Sequence, residues 1–74
     1  MDDRDKRVGD ALVSAHSTLI ELRGPVGSPG WGSFFWAPGG GGYQSLRDIE
    51  NALDELMDPR GEQLRESWQP SPKR

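Results

Sequence analysis

The sequence predicts a mainly α-helical fold, a small helical hairpin whose two helices are joined by a long loop rich in glycine, proline and aromatic residues. Two segments carry apolar residues at helical spacing. The segment between them, Arg23 to Tyr43, holds eight of the ten glycines and most of the aromatic residues. A short third helical segment follows. We therefore expect one small domain over residues 1–68 and a flexible tail over residues 69–74.

The first helix is predicted over residues 10–23. Its apolar residues recur at spacings of four, three, four and three, which places them on one face; they are Val8, Leu12, Ala15, Leu19 and Leu22. Asp10 is the expected N-cap, because Gly9 costs about 1 kcal/mol relative to alanine inside a helix. Arg23 suits the negative end of the helix dipole, and Gly24 can adopt the left-handed cap, so the helix should end there.

The connecting loop, residues 24–44, is predicted to be non-helical, because its three prolines and scattered glycines exclude a helix. An alternative for residues 33–37 is one arm of a short β-hairpin turned by residues 27–32, since aromatic residues favour strands. The glycine run Gly39 to Gly42 lacks the lysine and the serine or threonine that a phosphate-binding loop needs. We interpret it as a flexible connector.

The second helix is predicted over residues 45–58. Its apolar stripe is spaced three, four and three, and consists of Leu46, Ile49, Leu53 and Leu56. Ser45 and Asp48 resemble a capping box at its start. Residues 58–61 read Asp-Pro-Arg-Gly, a sequence typical of a type I turn, so the helix should stop there.

The third helical segment is predicted over residues 62–68. Leu64 and Trp68 are four residues apart and would lie on the same side of it. The tail after Trp68 contains two prolines and no apolar anchor, which predicts a flexible end.

The composition limits the chemistry that this chain can perform. There is no cysteine and one histidine, so disulfides and thiolate zinc sites are excluded and we expect no cofactor and no metal. The formal net charge of −3 disfavours nucleic acid as a partner. No stretch approaches the roughly 18 apolar residues of a membrane span, and no signal peptide is recognisable. We expect a soluble protein of the cytoplasm or of a particle.

Catalysis is not supported by the sequence. His16 is one or two positions from Ser14 and Ser17, and such neighbours do not face each other on a helix. No nucleophile motif or metalloprotease motif is present. We therefore predict that the protein is not an enzyme and that His16 is a structural or an exposed histidine.

The second helix is acidic. It carries five carboxylates against the single base Arg47, namely Asp48, Glu50, Asp54, Glu55 and Asp58. A solvated outer face is the simplest interpretation, and a basic partner surface is the alternative.

The aromatic residues are the candidate partner-binding site: Trp31, Phe34, Phe35, Trp36, Tyr43 and Trp68. One hypothesis is that the loop aromatics complete a small core, as short domains often require. The other is that some anchor the chain in a partner's pocket, since interface hot spots are enriched in aromatic residues. If residues 34–36 were extended, Phe34 and Trp36 would point to one face and Phe35 to the other. One face could then pack on the core while the other binds a partner.

The expected function is that of a small non-enzymatic interaction or assembly protein, anchored through its glycine and aromatic loop. Accessory subunits and minor structural components of multiprotein or viral particles fit this description. The partner would be a larger protein or assembly, or further copies of the chain. Two alternatives are a small regulator or inhibitor that occludes a partner's site, and a precursor peptide whose glycine and aromatic stretch is processed.

Overall fold

The protein is described over residues 2–72 by a computed structural model, which confirms the mainly helical prediction. Helix α1 spans Asp3–Arg23, α2 spans Gly41–Glu55 and α3 spans Arg60–Glu66, with a short 3-10 helix at Phe34–Trp36 between α1 and α2. No strand occurs within residues 2–72, so the β-hairpin alternative is not confirmed.

Helix α1 begins seven residues earlier than predicted. Asp2, and not Asp10, caps it by accepting a hydrogen bond from the backbone N–H of Asp5 at 2.9 Å. Gly9 lies inside the helix, where a Cβ would come within 2.6 Å of a carboxylate oxygen of Asp58. Glycine therefore allows the close approach of α1 to the end of α2, and this tertiary contact outweighs its low helix propensity.

The buried face of α1 differs from the predicted stripe by a rotation of about one residue, or about 100°. The fully buried positions are Gly9, His16 and Arg23, spaced seven residues apart. Leu22, in contrast, is 71% exposed. The end of the helix is as predicted: Gly24 has a φ of +84° and its N–H donates to Ile20 O at 3.1 Å.

Helix α2 runs antiparallel to α1, because Gly9 approaches Asp58, just after α2, while His16 contacts Glu50, which precedes Asp58 in the chain by eight residues. It starts at Gly41 and not at Ser45, whose hydroxyl donates to Gly41 O at 2.9 Å within the helix. The predicted capping box is therefore absent. The N-cap is Gly40, which contributes no side-chain hydrogen bond.

The core lies where the two helices meet the connecting loop and the segment after α3. Its buried apolar members are Trp36, Leu46 and Trp68, with Leu19, Ile20 and Tyr43 packed against them. Leu46 and Leu53, both from the predicted α2 stripe, are completely buried. Helix α3 packs on α2 at Gly61, where a Cβ would come within 2.9 Å of the carbonyl oxygen of Glu50 and 3.0 Å of Leu53 Cβ. Glycine therefore allows this close approach of the two helices.

The segment after α3 is held against the core and is not free. Arg23 Nη1 donates to Gln69 O at 2.5 Å, and the N–H of Ser71 donates to Trp36 O at 3.0 Å. The hydroxyl of Ser71 also donates to the carbonyl of Trp31. The predicted flexible tail is thus held by hydrogen bonds at Gln69 and Ser71, and its last two residues lie outside the described part of the chain.

The described fold is elongated, with principal extents of 42, 18 and 17 Å. Because α1 and α2 are antiparallel, residues 24–40 join their adjacent ends and form one end of the molecule, which we call the cap. Among residues 2–72, no helix is both long enough and apolar enough to cross a membrane.

Met57 is the single non-glycine residue with positive φ within residues 2–72, at +58°, and its side chain is 89% exposed. A left-handed conformation costs a residue with a Cβ about 1–2 kcal/mol. Met57→Gly is therefore expected to raise the free energy of unfolding by about 0.5–1 kcal/mol, part of the gain being offset by glycine's freedom when unfolded. Urea denaturation measures the change. Met57→Ala is the control and should give no gain; equal effects of the two variants would contradict the explanation.

Candidate functional site

A polar cluster occupies the centre of the molecule, which we call the Glu50 cluster: His16, Arg47, Glu50 and Trp68. Glu50 has no exposed surface and His16 is 1% exposed. His16 Nε2 lies 2.8 Å from Glu50 Oε2, and Trp68 Nε1 donates to the same oxygen at 2.6 Å. The cluster therefore joins α1, α2 and the segment after α3 through one carboxylate.

The second oxygen of the Glu50 carboxylate is held by arginine. Arg47 Nη1 donates to Oε1 at 2.8 Å, and Arg65 Nε on α3 lies 3.8 Å from it. The Arg47 guanidinium also lies 4.9 Å from the Trp68 ring centroid and 5.1 Å from that of Tyr43. These distances are within the range of cation–π contacts, so the charge of Arg47 is compensated by a carboxylate and by two aromatic faces.

The surroundings of Glu50 keep it ionised. Burial raises the pKa of its carboxyl, but hydrogen bonds from His16, Trp68 and Arg47 together outweigh burial, and the pKa lies below its ordinary value of 4.5. An ionised carboxylate only accepts hydrogen bonds, so His16 Nε2 carries a hydrogen and donates a hydrogen bond to Glu50. Both oxygens of the Glu50 carboxylate are thereby paired.

The lowered pKa of Glu50 predicts a specific pH dependence of stability. A carboxyl whose pKa is lower in the folded state contributes stability above its unfolded pKa, and this contribution disappears as pH falls through the folded pKa. We expect the advantage of the parent chain over Glu50→Gln to be constant at neutral pH and to shrink below about pH 4.5. Thermal unfolding of both chains from pH 7 to pH 2 measures it. An advantage that stays constant to pH 2 would contradict the assignment.

The geometry gives the Glu50 cluster a structural role. His16 is enclosed, and its ring packs against the Trp68 ring with centroids 6.3 Å apart. Ser14 and Ser17 are exposed, so neither serine is placed to be activated by it. Within residues 2–72 no group of three metal-ligating side chains is close enough to share an ion. Of the two roles predicted for His16, the structural one is observed.

The sequence interpretation of Glu50 as part of a solvated outer face is wrong. Glu50 follows Leu46 by four positions and precedes Leu53 by three, so it lies on the apolar stripe itself. That spacing was the available signal for a buried carboxylate. It did not identify the partners, because His16 is 34 positions away and Trp68 is 18.

A second ion-pair group joins α1 to the turn between α2 and α3. The guanidinium of Arg60 donates to the buried Asp58 at 2.8 Å and to the exposed Asp10 at 2.8 Å. The side-chain and backbone hydrogen bonds from Arg60 lower the pKa of Asp58. Asp10, predicted as an N-cap, is therefore an ion-pair partner within α1.

The six predicted partner-binding aromatics occupy three kinds of environment. Trp36 and Trp68 are buried in the core. Trp31 and Tyr43 are partly buried, and the buried indole N–H of Trp31 has no hydrogen-bond partner among residues 2–72. Phe34 and Phe35 are 61% and 52% exposed. The structure brings Phe34 and Phe35 together at the surface of the cap, and it withdraws Trp36 and Trp68 from that surface.

The outward direction of Phe34 and Phe35 follows from the local backbone. Residues 34–36 form a 3-10 helix in which Ala37 N–H donates to Phe34 O at 3.0 Å, and Ser33 Oγ accepts from Phe35 N–H at 3.2 Å. The predicted alternation of an extended run therefore does not occur. Instead Trp36 turns inward and both phenylalanines point outward.

Of the two phenylalanines, Phe35 packs on the start of α2 together with Trp36. The rings of Phe35 and Trp36 meet edge to face with centroids 4.9 Å apart. At Gly42 a Cβ would come within 2.5 Å of the Trp36 ring and 2.7 Å of the Phe35 ring. Glycine is thus needed at this position of the helix, and the run predicted as a flexible connector partly forms a packing surface for the two rings.

The segment that forms the cap and the start of α2 carries no formal charge. Residues 24–46 contain no aspartate, glutamate, lysine, arginine or histidine. The flanking bases are Arg23, which is buried, and Arg47, which is paired with Glu50. The candidate site is therefore an uncharged aromatic surface at one end of an otherwise highly charged molecule.

Comparison of the chain with protein-family models, with curated proteins and with solved structures gave no match. The fold and the site define the class: a small three-helix protein with a buried polar centre and an exposed aromatic pair. Its function is therefore argued from these features alone.

Proposed function

We propose that this chain is a small non-enzymatic interaction protein that binds a larger protein through the phenylalanine pair of its cap. The observation that carries the proposal is the exposure of Phe34 and Phe35 beside a buried Trp36. An accessory subunit or a minor component of a larger assembly is the role that such an anchor would serve.

The energetics of the two rings support this proposal. Burying a phenylalanine side chain stabilises by about 1.5–3 kcal/mol, and in the free chain Phe34 and Phe35 realise less than half of that burial. A short chain has a small core, so two phenylalanine rings in water are a large share of the apolar surface that it could bury. A partner that covers both rings recovers the missing burial.

The order of the cap also supports binding. Phe34 and Phe35 are placed by the 3-10 hydrogen bonds, by the buried Trp36 between them and α2, and by the bond from Ser71 N–H to Trp36 O. A surface that is already ordered loses less conformational entropy when it binds. The proposed anchor is therefore preorganised.

The test replaces both rings by a small polar side chain. We expect Phe34→Ser with Phe35→Ser to reduce affinity for the partner at least a hundredfold, since hot-spot aromatics each contribute about 2 kcal/mol or more. Affinity capture of the tagged chain from its native host, followed by titration of the purified retained protein, measures the effect. Thermal unfolding of the double variant should still be cooperative, with a free energy of unfolding lower than that of the parent by about 1–3 kcal/mol, because the two rings are partly buried in the free chain.

Met57→Ser is the matched control. Met57 is an exposed apolar residue, and it follows α2 at the end of the molecule away from the cap. A protein retained by the parent and by Met57→Ser, and lost with the double variant, supports the proposal. A protein retained equally by all three chains refutes the cap as the anchor. If the retained protein is an enzyme whose activity the chain inhibits, the regulator alternative describes the function of the same surface.

A further inference from the structure

We infer that the partner receives the whole cap in a concave, uncharged, apolar cleft of a larger protein. This inference rests on the proposed function and adds the shape and chemistry of the partner's site. It follows from the dimensions of the molecule and from the distribution of its charges.

The dimensions exclude a flat contact. The cap is the end of an elongated molecule, and short extents of 18 and 17 Å limit a planar contact across this end to on the order of 300 Å². A stable protein interface buries about 800 Å² on each partner. To approach that area the partner must extend around the sides of the cap, so its binding surface is concave.

The same limit disfavours a second copy of this chain as the occupant. Two caps meeting end to end share only the small end face. All the charged residues lie outside residues 24–46, and the net charge of the chain is −3. A dimer contact enlarged along the helices would therefore bring two negatively charged surfaces together. Like charges opposite one another are destabilising, so the chain should not dimerise through this end.

The described residues give the cap no cationic flank. Peripheral membrane anchors combine apolar side chains with lysine and arginine on the flanking surface, which attract anionic headgroups. Arg23 is buried and donates to Gln69 O, and Arg47 is paired with Glu50. Within residues 2–72, neither of these bases is therefore free to hold the aromatic pair at a membrane surface.

The absence of charge on the cap specifies the partner's cleft. A charged group buried against residues 24–46 would find no opposite charge there, and an unpaired charge removed from water is strongly unfavourable. The cleft should be lined by apolar groups and by polar groups that are satisfied within the partner. Binding should then depend little on ionic strength, because salt acts on interactions between charges.

The inference is tested with the full chain in three measurements. Sedimentation equilibrium of the chain alone is expected to show a monomer at the highest attainable concentration. Co-sedimentation with phosphatidylcholine vesicles, with and without phosphatidylglycerol, is expected to show no binding. Titration of the captured partner protein should give affinities that differ less than twofold between about 50 mM and about 500 mM NaCl. Hydrogen exchange in the complex should be slowed around the cap, at the start of α2 as well as at the phenylalanine pair.

Each other result overturns a defined part of the argument. A dimer lost in Phe34→Ser with Phe35→Ser identifies a second copy as the occupant and refutes the cleft. Vesicle binding lost in that variant refutes both the cleft and the protein partner. Two results with a cap-dependent protein partner refute the cleft and leave the proposed function standing. One is an affinity that falls tenfold or more in high salt, and the other is slowed hydrogen exchange at the phenylalanine pair alone. Capture of no protein through the cap refutes both.

Discussion

Glu50→Ala is expected to lower the free energy of unfolding by about 3–5 kcal/mol, the usual loss when one partner of a buried charged pair is removed. The substitution leaves the N–H groups of His16 and Trp68 and the Arg47 guanidinium without their acceptor in the interior. For a chain of this length the total stability is about 4–11 kcal/mol, at roughly 0.05–0.15 kcal/mol per residue. The variant should therefore be close to unfolded at room temperature, as measured by circular dichroism in urea.

Glu55→Ala is the matched control for this prediction. Glu55 is an acid at the end of the same helix, and it is exposed. Its replacement should change stability by less than about 0.5 kcal/mol. Glu50→Gln keeps the shape and one acceptor, so it should lose about 1–3 kcal/mol, between the two alanine variants. Equal stabilities of the Glu50→Ala and Glu55→Ala chains would contradict the buried position of Glu50.

Trp68→Ala is expected to lower the free energy of unfolding by about 3–5 kcal/mol, because it removes a large buried aromatic and leaves a cavity. The Trp68 ring packs edge to face with Tyr43 at 5.8 Å and lies 5.8 Å from the guanidinium of Arg23. It is also the apolar anchor of the segment after α3. Urea denaturation of the variant measures the loss, and hydrogen exchange at Ser71 shows whether the bond to Trp36 O is released with it.

Two variants separate the parts of this effect. Trp68→Phe keeps most of the ring and removes the donor to Glu50, so it should lose about 1–3 kcal/mol. Gln69 is the next residue, its side chain is exposed, and only its backbone carbonyl accepts a hydrogen bond from Arg23. Gln69→Ala should therefore leave the free energy of unfolding unchanged. Equal free energies of unfolding of Trp68→Ala and Gln69→Ala would contradict the position of the indole in the core. Trp68 would then again be a candidate partner-binding residue.

The Glu50 cluster explains how a domain this short defines one arrangement of its helices. A buried polar group adds little net stability, since pairing has to offset the loss of solvation. Any other register of α1 against α2 would leave Glu50 or His16 unpaired in an apolar interior, at a large cost. The cluster therefore selects the observed packing over alternatives that bury the same apolar side chains.

Rules that act over a few neighbouring residues predicted much of the fold. The end of α1 at Arg23 and Gly24 was predicted correctly, because a left-handed glycine followed by proline terminates a helix whatever lies around it. The inward position of Leu46 and Leu53 in α2 was also predicted, since spacing along a helix determines which residues share a face. The candidate aromatic site was proposed because glycine, proline and aromatic residues are concentrated in one stretch, and it stays a prediction.

Contacts between distant parts of the chain decided the rest. The buried face of α1 is the one that carries His16, because Glu50 on α2 requires a donor there, and no periodicity of α1 reports that need. The outward direction of Phe34 and Phe35 depends on Trp36 being drawn under α2 and bonded to Ser71. Such preferences arise from desolvation and pairing in the folded state, which a local pattern of residues does not contain.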